Sequence, residues 1–136
     1  MRELMTHAIQ VAGGIQLAII LANAPLPRKL QVRRHLAPLP RFVRQVFYVH
    51  WIYIVLTLGL FSALCLAFSA QMAGASFLGR FLSGYMALFW LLRLALQLTY
   101  YDREIRRANR WLDAAYVVAL VLLVGIFGGA ALWPVV

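Results

Sequence analysis

The sequence predicts an all-α, polytopic membrane protein that folds as a single four-transmembrane-helix bundle over residues 1–136. Of these residues 64% are hydrophobic, whereas soluble domains contain about 45–50% apolar residues. Four apolar windows are each long enough to cross the hydrocarbon core of a bilayer, which is about 30 Å thick. Because backbone polar groups in lipid must be satisfied within their own segment, each window is expected to be a helix.

The four predicted spans cover approximately residues 8–26, 46–70, 77–101 and 111–133. The first span has features of a secretory signal peptide, since Ala22-Asn23-Ala24 looks like a cleavage site. Gln10 and Gln16 interrupt its apolar stretch, however, and Pro25 would directly follow the cut. We therefore interpret this segment as a retained first span.

Charge patterning predicts the orientation of the bundle. Ten of the 13 lysine and arginine residues lie in two connections, residues 27–45 and residues 102–110. Both connections fall on one side of a four-span protein, and the positive-inside rule places them in the cytoplasm. Both termini are then expected outside, in what we interpret as a bacterial inner membrane. This rule and contact with anionic lipid headgroups account for the net charge of +9, so nucleic acid is not an expected partner.

The first basic connection contains a short repeat, in which Ala24-Pro-Leu-Pro-Arg28 recurs as Ala37-Pro-Leu-Pro-Arg41. Proline ends helices and restricts the residue before it. The two copies are expected to bracket a short segment, residues 29–36, that lies along the membrane surface. We favour a basic interfacial turn here, and a docking site for a soluble partner is the alternative.

Small residues recur at four-residue spacing on three of the predicted spans, which places them on one helical face. Small side chains let the backbones of two helices approach closely. These residues are expected either to pack the bundle within one chain or to join copies of the chain in a homo-oligomer or a larger membrane complex. They are Gly14 and Ala18 on span one, Gly59 and Ala63 on span two, and Gly125 and Gly129 on span four.

Arg93 lies inside the otherwise apolar third span. A charge near the centre of a membrane helix costs about 2.5–3.5 kcal/mol on insertion scales, and such residues usually have a partner and mark a functional site. We expect Arg93 to form an ion pair with Asp113 of span four. Arg106, in the second connection, is expected to pair with Asp102 at i,i+4 spacing.

Helical spacing places several more polar side chains in the same layer near the cytoplasmic surface. His50 and Tyr53 share one stripe of span two, and Gln97 and Tyr101 follow Arg93 on span three. Together they predict a cytoplasm-facing polar pocket for an anionic or lipid-like ligand, with a purely structural ion pair as the alternative. The predicted ligand-binding residues are Asn23, His50, Tyr53, Arg93, Gln97, Tyr101 and Asp113.

The sequence favours a binding module or membrane subunit over an enzyme. It contains no HExxH or CxxC motif, no nucleophile elbow and no carboxylate cluster, so we predict no metal ligand and no catalytic residue. Two alternatives stay open: a homo-oligomeric transporter of small solutes that uses the polar stripe, and a redox subunit that binds haem or quinone through His50.

Overall fold

The computed structural model describes residues 1–133, apart from the side chains of Leu26 and Ile105, and within this range every regular element is a helix. Four of the helices are long and apolar enough to cross a membrane. In chain order the helices are α1 (Arg2–Asn23), α2 (Leu26–Lys29), α3 (Val32–Leu36), α4 (Arg41–Ala67), α5 (Ser69–Met72), α6 (Phe77–Thr99), α7 (Arg103–Ala108) and α8 (Arg110–Leu132).

The long helices correspond to the four predicted spans, but their ends differ. The first begins at Arg2 rather than at residue 8, and α4 begins at Arg41 rather than at residue 46. Hydropathy marks the apolar stretch, whereas helical hydrogen bonding continues into polar flanks. The predicted second span also runs past the end of α4, because the backbone at Phe68 (φ −122°, ψ 23°) interrupts the helix before α5.

The four long helices form two pairs, with α1 packed along α4 and α6 packed along α8. Contacts between α1 and α8 join the pairs, and α5 lies against both α1 and α6. The core between them is filled by large side chains, with Trp90 and Phe127 almost completely buried. Large apolar side chains also cover the outer faces of all four long helices. Such a surface is suited to lipid.

Gly13 permits the closest approach between α1 and α4. A Cβ atom at this position would lie 3.0 Å from Cys65 Cβ and 3.0 Å from Leu66 Cγ. The Ser62 hydroxyl donates a 2.8 Å hydrogen bond to the Gly13 carbonyl across the same interface. The absence of a side chain at Gly13 therefore brings the two backbones within reach of this bond.

The predicted small-residue faces lie elsewhere. Gly14, Ala18, Ala63 and Gly125 are exposed within the chain, and a Cβ added at Gly14, Gly59 or Gly125 would meet nothing within 4 Å. Of the six residues, Gly129 packs within the chain, where an added Cβ would lie 3.7 Å from Met5 Cε. α1 carries small residues on two faces, and Gly13 rather than Gly14 faces α4. For the exposed residues, association with another copy of the chain stays the open alternative.

The repeated motif has two different structural roles. In the first copy Pro27 lies inside α2, and in the second copy Pro40 immediately precedes α4. The predicted interfacial segment, residues 29–36, is divided between α2 and α3 at Gln31, which has φ 48°.

Candidate functional site

One end of the bundle concentrates the basic residues, and we call it the basic end. Here α1 and α6 finish and α4 and α8 begin. Seven of the ten clustered basic side chains lie in the segments between these helices, and the other three lie at the starts of α4 and α8. The residues predicted to form a pocket divide into two groups at this end. One group forms a hydrogen-bonded network that joins α6, α7 and α8.

Asp113, in the first turn of α8, anchors this network. Arg106 of α7 donates from Nε to Oδ1 at 2.9 Å and from a terminal nitrogen to Oδ2 at 2.8 Å. The Arg106 side chain is 21% exposed and the Asp113 side chain is 17% exposed. This fork-to-carboxylate geometry is the strongest form of charged hydrogen bond. The hydrogen bonds to Asp113 raise the pKa of the Arg106 guanidinium.

Gln97 links Asp113 to Arg93. The Gln97 amide nitrogen donates a 2.7 Å hydrogen bond to Asp113 Oδ1, and its oxygen accepts a 3.1 Å hydrogen bond from Arg93. Gln97 is buried, and because both ends of its amide are used, its orientation is fixed. Arg93 and Gln97 are four residues apart, so one turn of α6 brings them together.

Two aromatic rings flank the Arg93 guanidinium. Its Cζ atom lies 4.8 Å from the centroid of Tyr101 and 5.3 Å from the centroid of Tyr116. Contacts of this length stabilise a cation by about 0.5–2 kcal/mol, more where water is excluded. Tyr116 was not among the predicted site residues. Its position three residues after Asp113, on the same face of a helix, was the available signal.

Arg93 does not form the predicted ion pair. In the described part of the chain, the salt bridge at this end joins Arg106 to Asp113, and Gln97 stands between Asp113 and Arg93. The chain has only four acidic residues, and none lies between Glu3 and Asp102. No carboxylate within the described residues is therefore ion-paired to Arg93, although the guanidinium is partly buried.

Asp102 does not pair with Arg106 either. Its Oδ1 accepts a 2.8 Å hydrogen bond from the Glu104 backbone N–H, so it caps the N terminus of α7. Capping an unsatisfied backbone donor is a strong preference of aspartate. The cap leaves Arg106, one turn further along α7, free to reach Asp113.

Among the described residues, no hydrogen bond, ion pair or ring contact joins the second group of predicted pocket residues to this network. His50 and Tyr53 are exposed on α4, and His50 Nδ1 lies 2.8 Å from the Val46 carbonyl oxygen of its own helix. Asn23 likewise donates a 2.7 Å hydrogen bond to Ile19 in α1. That these three line one pocket with Arg93 therefore stays a prediction. The ring and sulfur contacts between α4 and α6 involve Phe61 and Cys65, deeper in the bundle, rather than the start of α4.

The interior contains polar groups that the sequence did not single out as site residues. Gln16 is completely buried, and its amide nitrogen donates to the Ala12 carbonyl and to Cys65 Sγ. Its oxygen, the Ser83 hydroxyl and the Trp90 indole nitrogen have no hydrogen-bond partner among the described residues. Unsatisfied buried polar atoms are uncommon, because each carries a desolvation penalty of about 1–3 kcal/mol.

Comparison with known proteins supplies no family for the chain: no protein-family model, no curated protein and no solved structure matches it. Within the described residues, histidine, cysteine and acidic side chains form no group of three that would hold a metal ion. The chemistry of the basic end is therefore the main guide to function.

Proposed function

We propose that this protein is a membrane-embedded binding module whose Arg93 site takes an amphipathic anion, a carboxylate or phosphate attached to an apolar tail. In this interpretation the four long helices cross the bilayer, and the basic end faces the cytoplasm. The network of Arg93, Gln97, Asp113 and Arg106 positions the binding cation.

The observation that carries this proposal is the separation of the two arginines by Gln97. Arg106 occupies both oxygens of Asp113, while Arg93 contacts the carboxylate only through the neutral amide. A cation at this depth is stabilised by an anionic partner, and the chain does not supply one within the described residues. A ligand anion would fill that role.

The surroundings of Arg93 favour an amphipathic ligand over a small soluble anion. A guanidinium has five N–H donors, and one is used by Gln97. Its planar fork matches the paired oxygens of a carboxylate or a phosphate. The rings of Tyr101 and Tyr116 lie at its flanks. These groups offer apolar contact to a hydrocarbon tail.

The test is to measure binding of oleate and of lysophosphatidic acid to the purified chain in a neutral detergent. The variant Arg93→Gln removes the charge at the site. The matched control, Arg80→Gln, removes the same charge from the other end of α6, where Arg80 donates to the Ala131 carbonyl. Arg93→Lys keeps the charge and loses the fork.

Loss of one charge-assisted contact weakens binding by about 10- to 150-fold, which corresponds to about 1.5–3 kcal/mol. We expect this loss in Arg93→Gln, a smaller loss in Arg93→Lys, and little change in Arg80→Gln. Far-ultraviolet circular dichroism checks that each variant is folded. Equal affinity in wild type and a folded Arg93→Gln protein, for both ligands, would contradict the proposal.

A transporter of small polar solutes is the second candidate, and a different observation supports it. Gln16, Ser83 and Trp90 place unpartnered polar atoms in the core, and Gln10 bonds Ser69 at 3.2 Å nearer the opposite end. Polar groups in the interior are typical of solute pathways. Flux into liposomes that Ser83→Ala abolishes would favour transport over binding. The control is Thr99→Val, which removes an exposed hydroxyl that bonds within its own helical turn.

A further inference from the structure

The first basic connection and α4 border an open groove of about 700 Å³. Tyr48 is the α4 residue that lines it, and lies about 10 Å along the helix from Arg41. It shares no residue with the Arg93 network. The residues that line it are Pro27, Arg28, Gln31, Val32, Arg33, Arg34, Ala37 and Tyr48.

Gln31 gives the groove its shape. Its backbone has φ 48° and ψ 41°, a left-handed conformation that residues other than glycine rarely adopt. The Gln31 N–H donates to the Arg28 carbonyl at 3.1 Å, and the Gln31 carbonyl accepts from the Arg34 N–H at 2.9 Å. The chain turns at this point, and Arg28 before the turn and Arg33 and Arg34 after it line the same groove.

The charge of the groove is not balanced by its own segment. Residues 4–101 contain no aspartate or glutamate, whereas residues 28–44 contain six basic residues. The rest of the lining is largely apolar, with Pro27, Val32, Ala37 and the Tyr48 ring. The groove therefore has a mostly apolar wall that three arginines border, and one of them, Arg34, donates a 3.4 Å hydrogen bond to Gln31 Oε1.

We propose that this groove binds the phosphate headgroup and adjoining glycerol backbone of an anionic phospholipid. Guanidinium forks bind phosphate oxygens in pairs, and basic pockets at a membrane surface recognise anionic headgroups. The apolar wall favours a lipid over free phosphate, because a lipid also buries hydrocarbon against Val32 and Tyr48. The proposal is independent of the Arg93 site.

The test is native mass spectrometry of the full chain in a neutral detergent, titrated with phosphatidylglycerol or, at equal concentration, phosphatidylcholine. The double variant Arg33→Gln/Arg34→Gln removes two charges from the groove. Its control, Arg103→Gln/Arg107→Gln, removes two exposed charges from the second connection at the same end of the bundle. Because the loss of one charge-assisted hydrogen bond weakens binding at least about 10-fold, we expect at least about 10-fold weaker phosphatidylglycerol binding in the groove variant. The control arginines lie outside the groove, so the control pair keeps every such contact with the lipid.

A second variant, Ala37→Trp, fills the groove without removing charge, and we expect it to weaken phosphatidylglycerol binding while the control pair stays within about twofold of wild type. Soluble glycerol phosphate should not displace the lipid. Three results would overturn the proposal: equal losses in the groove and control pairs, equal binding of the two lipids, or displacement by glycerol phosphate, which would indicate a free-phosphate site. Circular dichroism confirms that each variant is helical before binding is compared.

Discussion

Two neighbouring glycines allow a matched test of the packing between α1 and α4. Gly13 and Gly14 are adjacent in the middle of α1, but an added Cβ at Gly13 would meet α4, and one at Gly14 would meet nothing within 4 Å. Replacing glycine by alanine inside a helix stabilises the helix by about 0.8–1.0 kcal/mol. This gain is common to Gly13→Ala and Gly14→Ala, so the difference between the two variants isolates the contact.

The magnitude follows from the distances. Carbon atoms in contact are most stable at about 3.5–4.0 Å, whereas the added Cβ at Gly13 would lie 3.0 Å from both Cys65 Cβ and Leu66 Cγ. Such overpacking costs about 1–3 kcal/mol. We therefore expect Gly14→Ala to stabilise the protein by up to about 1 kcal/mol. The Gly13→Ala protein should be about 1–3 kcal/mol less stable than the Gly14→Ala protein.

The assay is reversible unfolding in mixed micelles of neutral detergent and dodecyl sulfate, followed by far-ultraviolet circular dichroism. Leu66→Ala adds a further check, because it removes one of the two crowding side chains. The loss in Gly13→Ala should be smaller in the Leu66→Ala background than in wild type. If Gly13→Ala and Gly14→Ala were equally stable, the close approach of α1 to α4 at this position would be refuted.

Three further predictions follow from other contacts. Gln97→Met should lower the free energy of unfolding by about 1–3 kcal/mol, because it leaves Arg93 and Asp113 each without one hydrogen bond. The exposed control Gln45→Met should be near neutral in the same micelle assay. Gly79→Ala should destabilise the protein at least as much as Gly13→Ala, because the added Cβ would lie 2.5 Å from the Gln71 backbone oxygen. An unchanged unfolding midpoint would count against the packing of α5 on α6. Cys65 is 0% exposed, so it should react with a maleimide only after the protein unfolds. The control variant Ala75→Cys, at an exposed position in a Cys65→Ser background, should react at once.

The sequence was a good guide to the long helices and to part of the basic end. Apolar length predicted four helices, and four-residue spacing correctly grouped Arg93, Gln97 and Tyr101 near Asp113. This succeeded because α6 and α8 are successive long helices joined by a short connection. Contacts between neighbours of this kind depend mainly on helical periodicity, which a sequence displays directly.

Other features are not determined by periodicity. Matching depth grouped His50 and Tyr53 with Gln97, but depth does not say which way a helix face turns, and both side chains are exposed on α4. Arg106 was assigned to Asp102 by spacing, whereas Asp102 satisfies a backbone N–H of α7 instead. The crossing of helices and the choice among competing polar partners are decided by tertiary packing.

The pairing of the long helices also bears on the order in which the chain assembles. Each pair joins helices that follow one another among the four, so its contacts become available as soon as its second member has been synthesised. The contact between α1 and α8 is different, because Met5 and Gly129 are 124 residues apart in the sequence. We expect the two helical hairpins to form first and to dock last, so that the face of α1 covered by α8 remains open to lipid or to chaperones for most of synthesis.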